Sequence, residues 1–146
     1  MPNKKSVYRA MLLLYMALLL YLTWFPGPFR QAGGDAGINL RPFATIRRYI
    51  PMDDPADWVN IAGNLAAFAP LGFLMPRCFD RFRWRHTALI ALCVSLLVDA
   101  VQYITGMGSL DVDDVPLNVM GAGAGFFLHR LREWVYHSTH YTRRIE

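Results

Sequence analysis

Four apolar stretches, separated by charged or turn-forming segments, constrain this chain more than any other feature. They cover residues 8–25, 58–76, 87–105 and 116–131. A helix needs roughly 17–25 mostly apolar residues to cross ~30 Å of hydrocarbon. The first three stretches meet that length; the fourth is shorter and rich in glycine. Of the 146 residues, 54% are hydrophobic and 18% charged, which excludes a disordered chain, a coiled coil or a charged nucleic-acid arm. The expected architecture is an all-α membrane protein: one integral membrane domain over residues 1–146, folded as a four-transmembrane-helix bundle.

A cleaved secretory signal is the rival reading of the first stretch, because Lys4, Lys5 and Arg9 precede it and Ala32-Gly33-Gly34 follows. Its length and its bulky end, Trp24-Phe25-Pro26, favour a retained span. Cys78 and Cys93 have neither CxxC nor Cys/His ligand spacing, so neither a disulfide framework nor a zinc site is expected.

Orientation follows from the basic residues. Lys4, Lys5 and Arg9 precede the first span, Arg77, Arg81, Arg83 and Arg85 surround the link between the second and third, and Arg130, Arg132, Arg143 and Arg144 follow the fourth. Only Arg30, Arg41, Arg47 and Arg48 fall on the other side, all in one long loop. Both termini are therefore expected in the cytoplasm. Asp35, Asp53, Asp54, Asp57, Asp111, Asp113 and Asp114 lie on the outer side. The net charge of +4 is then largely topological, and nucleic acid is not an expected partner. In the first outer loop Pro42 can open a short helix placing Phe43, Ile46 and Ile50 on one face and Arg47 and Arg48 on another, a pattern suited to the interface plane. A plain connecting loop is the alternative.

Polar groups within the spans converge on the outer half. Asn60 and Asn64 stand one turn apart near the outer end of the second span. Ser95, Asp99 and Gln102 form one stripe of the third, with Asp99 roughly 9 Å below its outer end. Asn118 lies near the outer end of the fourth, and the turn Asp111-Val112-Asp113-Asp114 closes over the group. Polar side chains inside a membrane helix default to the bundle interior or a wet cavity. Structural roles compete for several of them. Asp54, Asp57 and Asp114 fit helix caps and first-turn dipole partners, Asn60 and Asn64 fit interhelical hydrogen bonds, and Gly121-x-x-x-Gly125 fits close helix packing. Asp99 is harder to assign to structure: no Lys or Arg lies in a span core, so its carboxyl must be protonated, paired or hydrated. Pro70 should bend the second span. His86, His129, His137 and His140 lie toward the other end, so a Ser-His-Asp arrangement is not expected.

These residues resemble the VanZ-like family of bacterial membrane proteins. The matching pieces are Asn39-Leu-Arg-Pro-Phe43, Asn60-x3-Asn64-x3-Phe68-Ala-Pro70-Leu-Gly-Phe-Leu-Met-Pro76, Asp99-x2-Gln102, Thr105-Gly-Met-Gly108, Asp111-x-Asp113-Asp114 and Asn118-x2-Gly121-x3-Gly125. Two departures stand out: the family more often carries Glu at the position of Asp99, and a basic residue in the turn occupied here by Gly108-Ser109. The resemblance implies an inner-membrane protein of the cell envelope, in a family whose founding member is associated with teicoplanin resistance.

Three functions remain open on the sequence. The first is binding of a membrane lipid headgroup, a lipid-linked envelope precursor or a lipoglycopeptide. Asn60, Asn64, Gln102 and Asn118 would supply hydrogen bonds, Asp99 an acceptor, Asp111 and Asp113 the rim, and Arg41 a partner for phosphate. No cofactor is needed. The second is a membrane-embedded enzyme with Asp99 as acid or base and Asp111 and Asp113 holding a divalent cation. The third is a small proton-coupled exporter working as a homo-oligomer.

Overall fold

The computed structural model describes residues 3–24, 38–43, 47, 55–106 and 110–142. Four helices carry the fold: α1 (Lys4–Trp24), α2 (Pro55–Cys78), α3 (Trp84–Ile104) and α4 (Asp114–Thr142). Between them lie two two-residue strands, β1 (Ile38–Asn39) and β2 (Leu110–Asp111), paired in parallel with Asn39 opposite Asp111. The all-α expectation thus holds for every long element and omits one short tie between loops.

Three helices are long and apolar enough to cross a membrane, over Lys4–Leu22, Trp58–Cys78 and Trp84–Ile104. These match the first three expected spans. α4 includes the fourth, 116–131, but continues to Thr142 and carries Arg130, Arg132 and Glu133 within the same helix. Its length is ample, and its charges keep it below the apolarity of the other three. Of the short helix expected after Pro42, the described part is one helical bond, from Arg47 N–H to the Phe43 carbonyl at 2.9 Å. The rest of that segment, and Asp53 and Asp54, lie outside the described residues.

α2 is the central element. Its Phe68, Leu71 and Met75 are buried against Ala91 of α3 and Ala122 of α4, with Leu12, Tyr15 and Met16 of α1 packed alongside. Between α2 and α4 the backbones themselves meet. A Cβ on Gly121 would overlap the Leu65 carbonyl, one on Gly125 the Ala69 carbonyl, and one on Gly72 the Ala122 carbonyl. Lipid tails remove the hydrophobic drive between helices, so close van der Waals contact through small residues is what holds two spans together. Gly121-x-x-x-Gly125 is such a contact. Large apolar side chains elsewhere point outward, among them Leu13, Leu14, Leu97, Ile104 and Phe127.

α1 joins the others through polar contacts as well. Pro70 has no N–H, so the Ala66 carbonyl loses its helical donor. One residue on, the Ala67 carbonyl accepts the Tyr15 hydroxyl at 2.6 Å. Near the start of α1, Lys5 Nζ reaches Asp80 at 2.6 Å and Arg9 donates to the Cys78 carbonyl at 3.4 Å. The start of α1 and the α2–α3 turn therefore share one end of the bundle. In that turn Arg81 adopts a left-handed φ of 59°, and His86 Nδ1 accepts the Arg83 N–H at 3.0 Å as α3 begins. At the opposite end α3 stops on Thr105, whose hydroxyl donates to the Val101 carbonyl at 2.7 Å. Gly106 follows at φ 68°, the left-handed conformation that ends helices and that glycine adopts without steric cost.

Candidate functional site

The loop end of the bundle is built by two of the sequence motifs acting as one unit. Asn39 Nδ2 donates to Asp111 Oδ1 at 3.0 Å, and the same oxygen accepts the Asp113 N–H at 2.9 Å. Asp113 Oδ1 accepts the Phe43 N–H at 2.6 Å, and the Asn39 carbonyl accepts the Val112 N–H at 3.0 Å. The Arg41 N–H closes a turn on Asn39 Oδ1 at 3.2 Å. Asn39-Leu-Arg-Pro-Phe43 is thereby knotted onto Asp111-Val112-Asp113. Phe43 takes a left-handed φ of 65° within this knot. For a bulky residue that geometry costs energy, and here the Asp113 carboxylate grips its N–H.

Below the knot, polar side chains join the helices. Asp114 opens α4 and accepts Asn64 Nδ2 of α2 at 2.8 Å. Asn118, one turn further along α4, donates through Nδ2 to the Ser95 hydroxyl of α3 at 2.8 Å. Ser95 and Asp99 stand one turn apart on α3, so the polar stripe of that helix faces α4. Asp99 is 3% exposed, and Asp111 and Asp114 are near enough for their charges to act on it. Among the described residues, Asp99 Oδ2 has no hydrogen-bond partner, and neither has Asn118 Oδ1.

The structure thus gathers Asn64, Asp99, Asp111, Asp113 and Asn118 at one end, with Asn39, Ser95 and Asp114. Asn60 is exposed, Gln102 is half-buried, and the Arg41 side chain is exposed while its backbone serves the knot. Asp111 and Asp113 direct carboxylate oxygens at Asn39 and at backbone N–H groups. Among the described residues no group of three or more His, Cys, Asp or Glu side chains is placed to hold a metal ion.

The family model described as VanZ/LLP1 matches residues 12–133, which take in most of α1 and α4, all of α2 and α3, and the whole knotted end. The chain belongs to the VanZ/LLP1 family. Protein VanZ of Enterococcus faecium is similar to it, at 26% identity over 131 residues that cover 87% of this chain and 76% of that protein. No solved structure matches. Within this VanZ/LLP1 chain, sequence reasoning located most of the polar end but left three partnerships unseen. Asn39 pairs with Asp111, Ser95 with Asn118, and Tyr15 with the Ala67 carbonyl. Asn39 already stood in a motif and Ser95 on the polar stripe of α3; Tyr15 carried no signal beyond a hydroxyl in an apolar helix.

Proposed function

We propose that this VanZ/LLP1 protein spans the bacterial inner membrane four times with both termini cytoplasmic, and binds a membrane-borne molecule of the cell envelope at the polar end around Asp99. The observation that carries the reading is the pair of buried acceptors, Asp99 Oδ2 and Asn118 Oδ1, which lack donors among the described residues. A buried polar atom without a partner costs about 1–3 kcal/mol, and such atoms in native proteins mark water, an ion or a ligand. Each of these acceptors calls for a donor. Hydroxyls and ammonium groups fit, which suits the headgroup of a lipid, a lipid-linked precursor or a lipoglycopeptide.

The position supports a membrane-borne partner. Asp99 lies within the third apolar helix, within electrostatic reach of Asp111 and Asp114 at the end closed by the β1–β2 knot. Teicoplanin carries an acyl chain, so a membrane-anchored form of it has the location; the resemblance to VanZ-like proteins associates the family with resistance to it. The fourth crossing rests on α4, whose glycine contacts seat it against α2 along the span.

Native mass spectrometry of the protein released from lipid tests the binding. Wild type should retain a lipid-borne molecule that Asp99→Asn releases. Equal retention by both, or none by either, refutes the reading. Single cysteines at Ser109 and Arg83, in a background lacking Cys78 and Cys93, test the topology: the first should label from outside intact cells and the second should not.

A further inference from the structure

The opposite end of the bundle holds a second unsatisfied polar centre. Arg77, in the last turn of α2, is only 9% exposed. Its Nη1 donates to the Phe73 carbonyl at 2.7 Å. Its guanidinium lies over the Phe73 ring, 3.7 Å from the centroid, and 5.5 Å from that of Tyr8 on α1. The guanidinium is therefore held against two aromatic rings. Its Nη2 is buried and has no acceptor among the described residues. His129 of α4 is close enough for the Arg77 charge to act on it, and its buried Nδ1 likewise has no partner among them.

A guanidinium cannot shed its charge, and a buried charge without a counter-ion is strongly unfavourable. The carboxylates described at this end do not supply one. Asp80 is held by Lys5 at 2.6 Å, and Glu133 sits 3.4 Å from Arg132. Arg81, Arg83, Arg85 and Arg130 add further positive charge around the same turn and helix end. What the centre lacks is an oxyanion. Arginine presents a planar fork matched to phosphate oxygens, and an imidazole with its proton on Nδ1 adds a second donor from α4.

We propose that Arg77 and His129 form a phosphate-binding site at the end of the bundle that carries Lys5 and Asp80, with an anionic phospholipid headgroup as its ligand. Lipid is favoured over free phosphate because Phe79 and Trp84 stand exposed beside the same turn. Aromatic side chains in that position settle at headgroup level. The site is separate from the Asp99 region and stands or falls without it.

The test uses the full-length protein in nanodiscs of phosphatidylglycerol or of phosphatidylcholine, with native mass spectrometry counting retained lipid and thermal denaturation reporting protection. Wild type should retain phosphatidylglycerol in preference to phosphatidylcholine. Arg77→Gln should lose that preference roughly tenfold, the effect of one charge-assisted contact, while Arg81→Gln, which removes a surrounding charge and no fork, lowers it less. His129→Ala, and Arg77→Lys with its charge but no fork, should fall between. Should Arg77→Gln fail to fold, His129→Ala and the wild-type lipid preference decide alone. Inorganic phosphate, added in detergent, separates the sources. Protection by phosphate equal to that by phosphatidylglycerol assigns the same site to a soluble oxyanion. Protection by neither, or equal retention of both lipids by wild type, overturns the proposal, as does an Arg77→Gln protein with undiminished preference.

Discussion

Asn118 Nδ2 on α4 and the Ser95 hydroxyl on α3 meet at 2.8 Å, both fully within the bundle. That bond is a direct side-chain link between α4 and the helix that carries Asp99, so it should help set their spacing. Removing either partner leaves the other buried without its bond. Ser95→Ala and Asn118→Ala should each destabilise the protein by about 1–2 kcal/mol. In a double-mutant cycle of denaturant unfolding in micelles, the two changes should couple. Strict additivity would show that the bond contributes nothing.

The knot between the 38–43 and 110–113 segments makes a different prediction. Asp111 and Asp113 are engaged by Asn39, by the Asp113 N–H and by the Phe43 N–H. Asp113→Ala should free the 38–43 segment and raise its rate of proteolysis, whereas Asp113→Asn keeps an acceptor and should protect it. A chelator should leave the digestion pattern unchanged, because hydrogen bonds and not a cation hold the loop. Faster cleavage on chelation would restore the divalent-cation reading of the acidic turn.

Glycine substitutions should split sharply by position. At Gly72, Gly121 and Gly125 an added methyl meets a carbonyl of the facing helix, which is backbone and cannot swing away. Alanine there should cost about 1–3 kcal/mol or abolish folding. Gly63 lies on α2 as well, but a Cβ there meets nothing within 4 Å. Gly63→Ala should be neutral, or stabilising by up to about 1 kcal/mol from helix propensity. Thermal melts of the four variants in one detergent test the contrast, and uniform effects would mean that α2 and α4 are not in backbone contact.

The pair at the other end is weaker and depends on pH. The Lys5 hydrogen bond, and then its charge, hold the Asp80 carboxyl below its ordinary range. A carboxylate with a lowered folded-state pKa adds stability above its unfolded pKa of about 4, and that gain disappears as pH falls through the folded value. Asp80 is exposed and the pair is open to salt, so the effect should be small and screened. Asp80→Asn should therefore converge on wild type as pH falls through the folded value and differ from it above, most clearly at low ionic strength. A difference that grows on acidification would reverse the assigned sign.

Most of the helical scaffold was legible because a long apolar run in a chain of this composition has few alternatives. α4 was harder to bound. Arg130 and Arg132 read as the charges that follow a span, whereas the helix runs through them to Thr142. The knot was invisible for another reason: a two-residue strand has no periodicity, and Asn39 and Asp111 are 72 residues apart. Asn60 was grouped with Asn64 by its spacing, but one turn closer to the helix end it stands exposed. Arg77 entered the sequence reading only as a topological charge. Its burial comes from Tyr8 and Phe73, a contact between helices that hydropathy does not register.

Asp99 separates stability from function. Its buried carboxyl has no hydrogen-bond partner among the described residues, so the fold gains nothing evident from it and bears the cost of enclosing it. Leucine has the same branching and number of side-chain heavy atoms, though its methyl groups are bulkier, and it satisfies an apolar helix without a partner. Asp99→Leu should therefore insert normally and resist unfolding as well as wild type or better, by up to about 1–3 kcal/mol. The same variant should lose the bound molecule and the phenotype the protein confers, and Asp99→Asn should lose them while leaving stability close to wild type. A carboxyl kept for packing would behave the other way, with Asp99→Leu destabilised and function declining only as the protein unfolds. Measuring unfolding and ligand retention on the same two variants distinguishes these outcomes, and an Asp99→Leu protein that is both stable and fully active would remove Asp99 from the site.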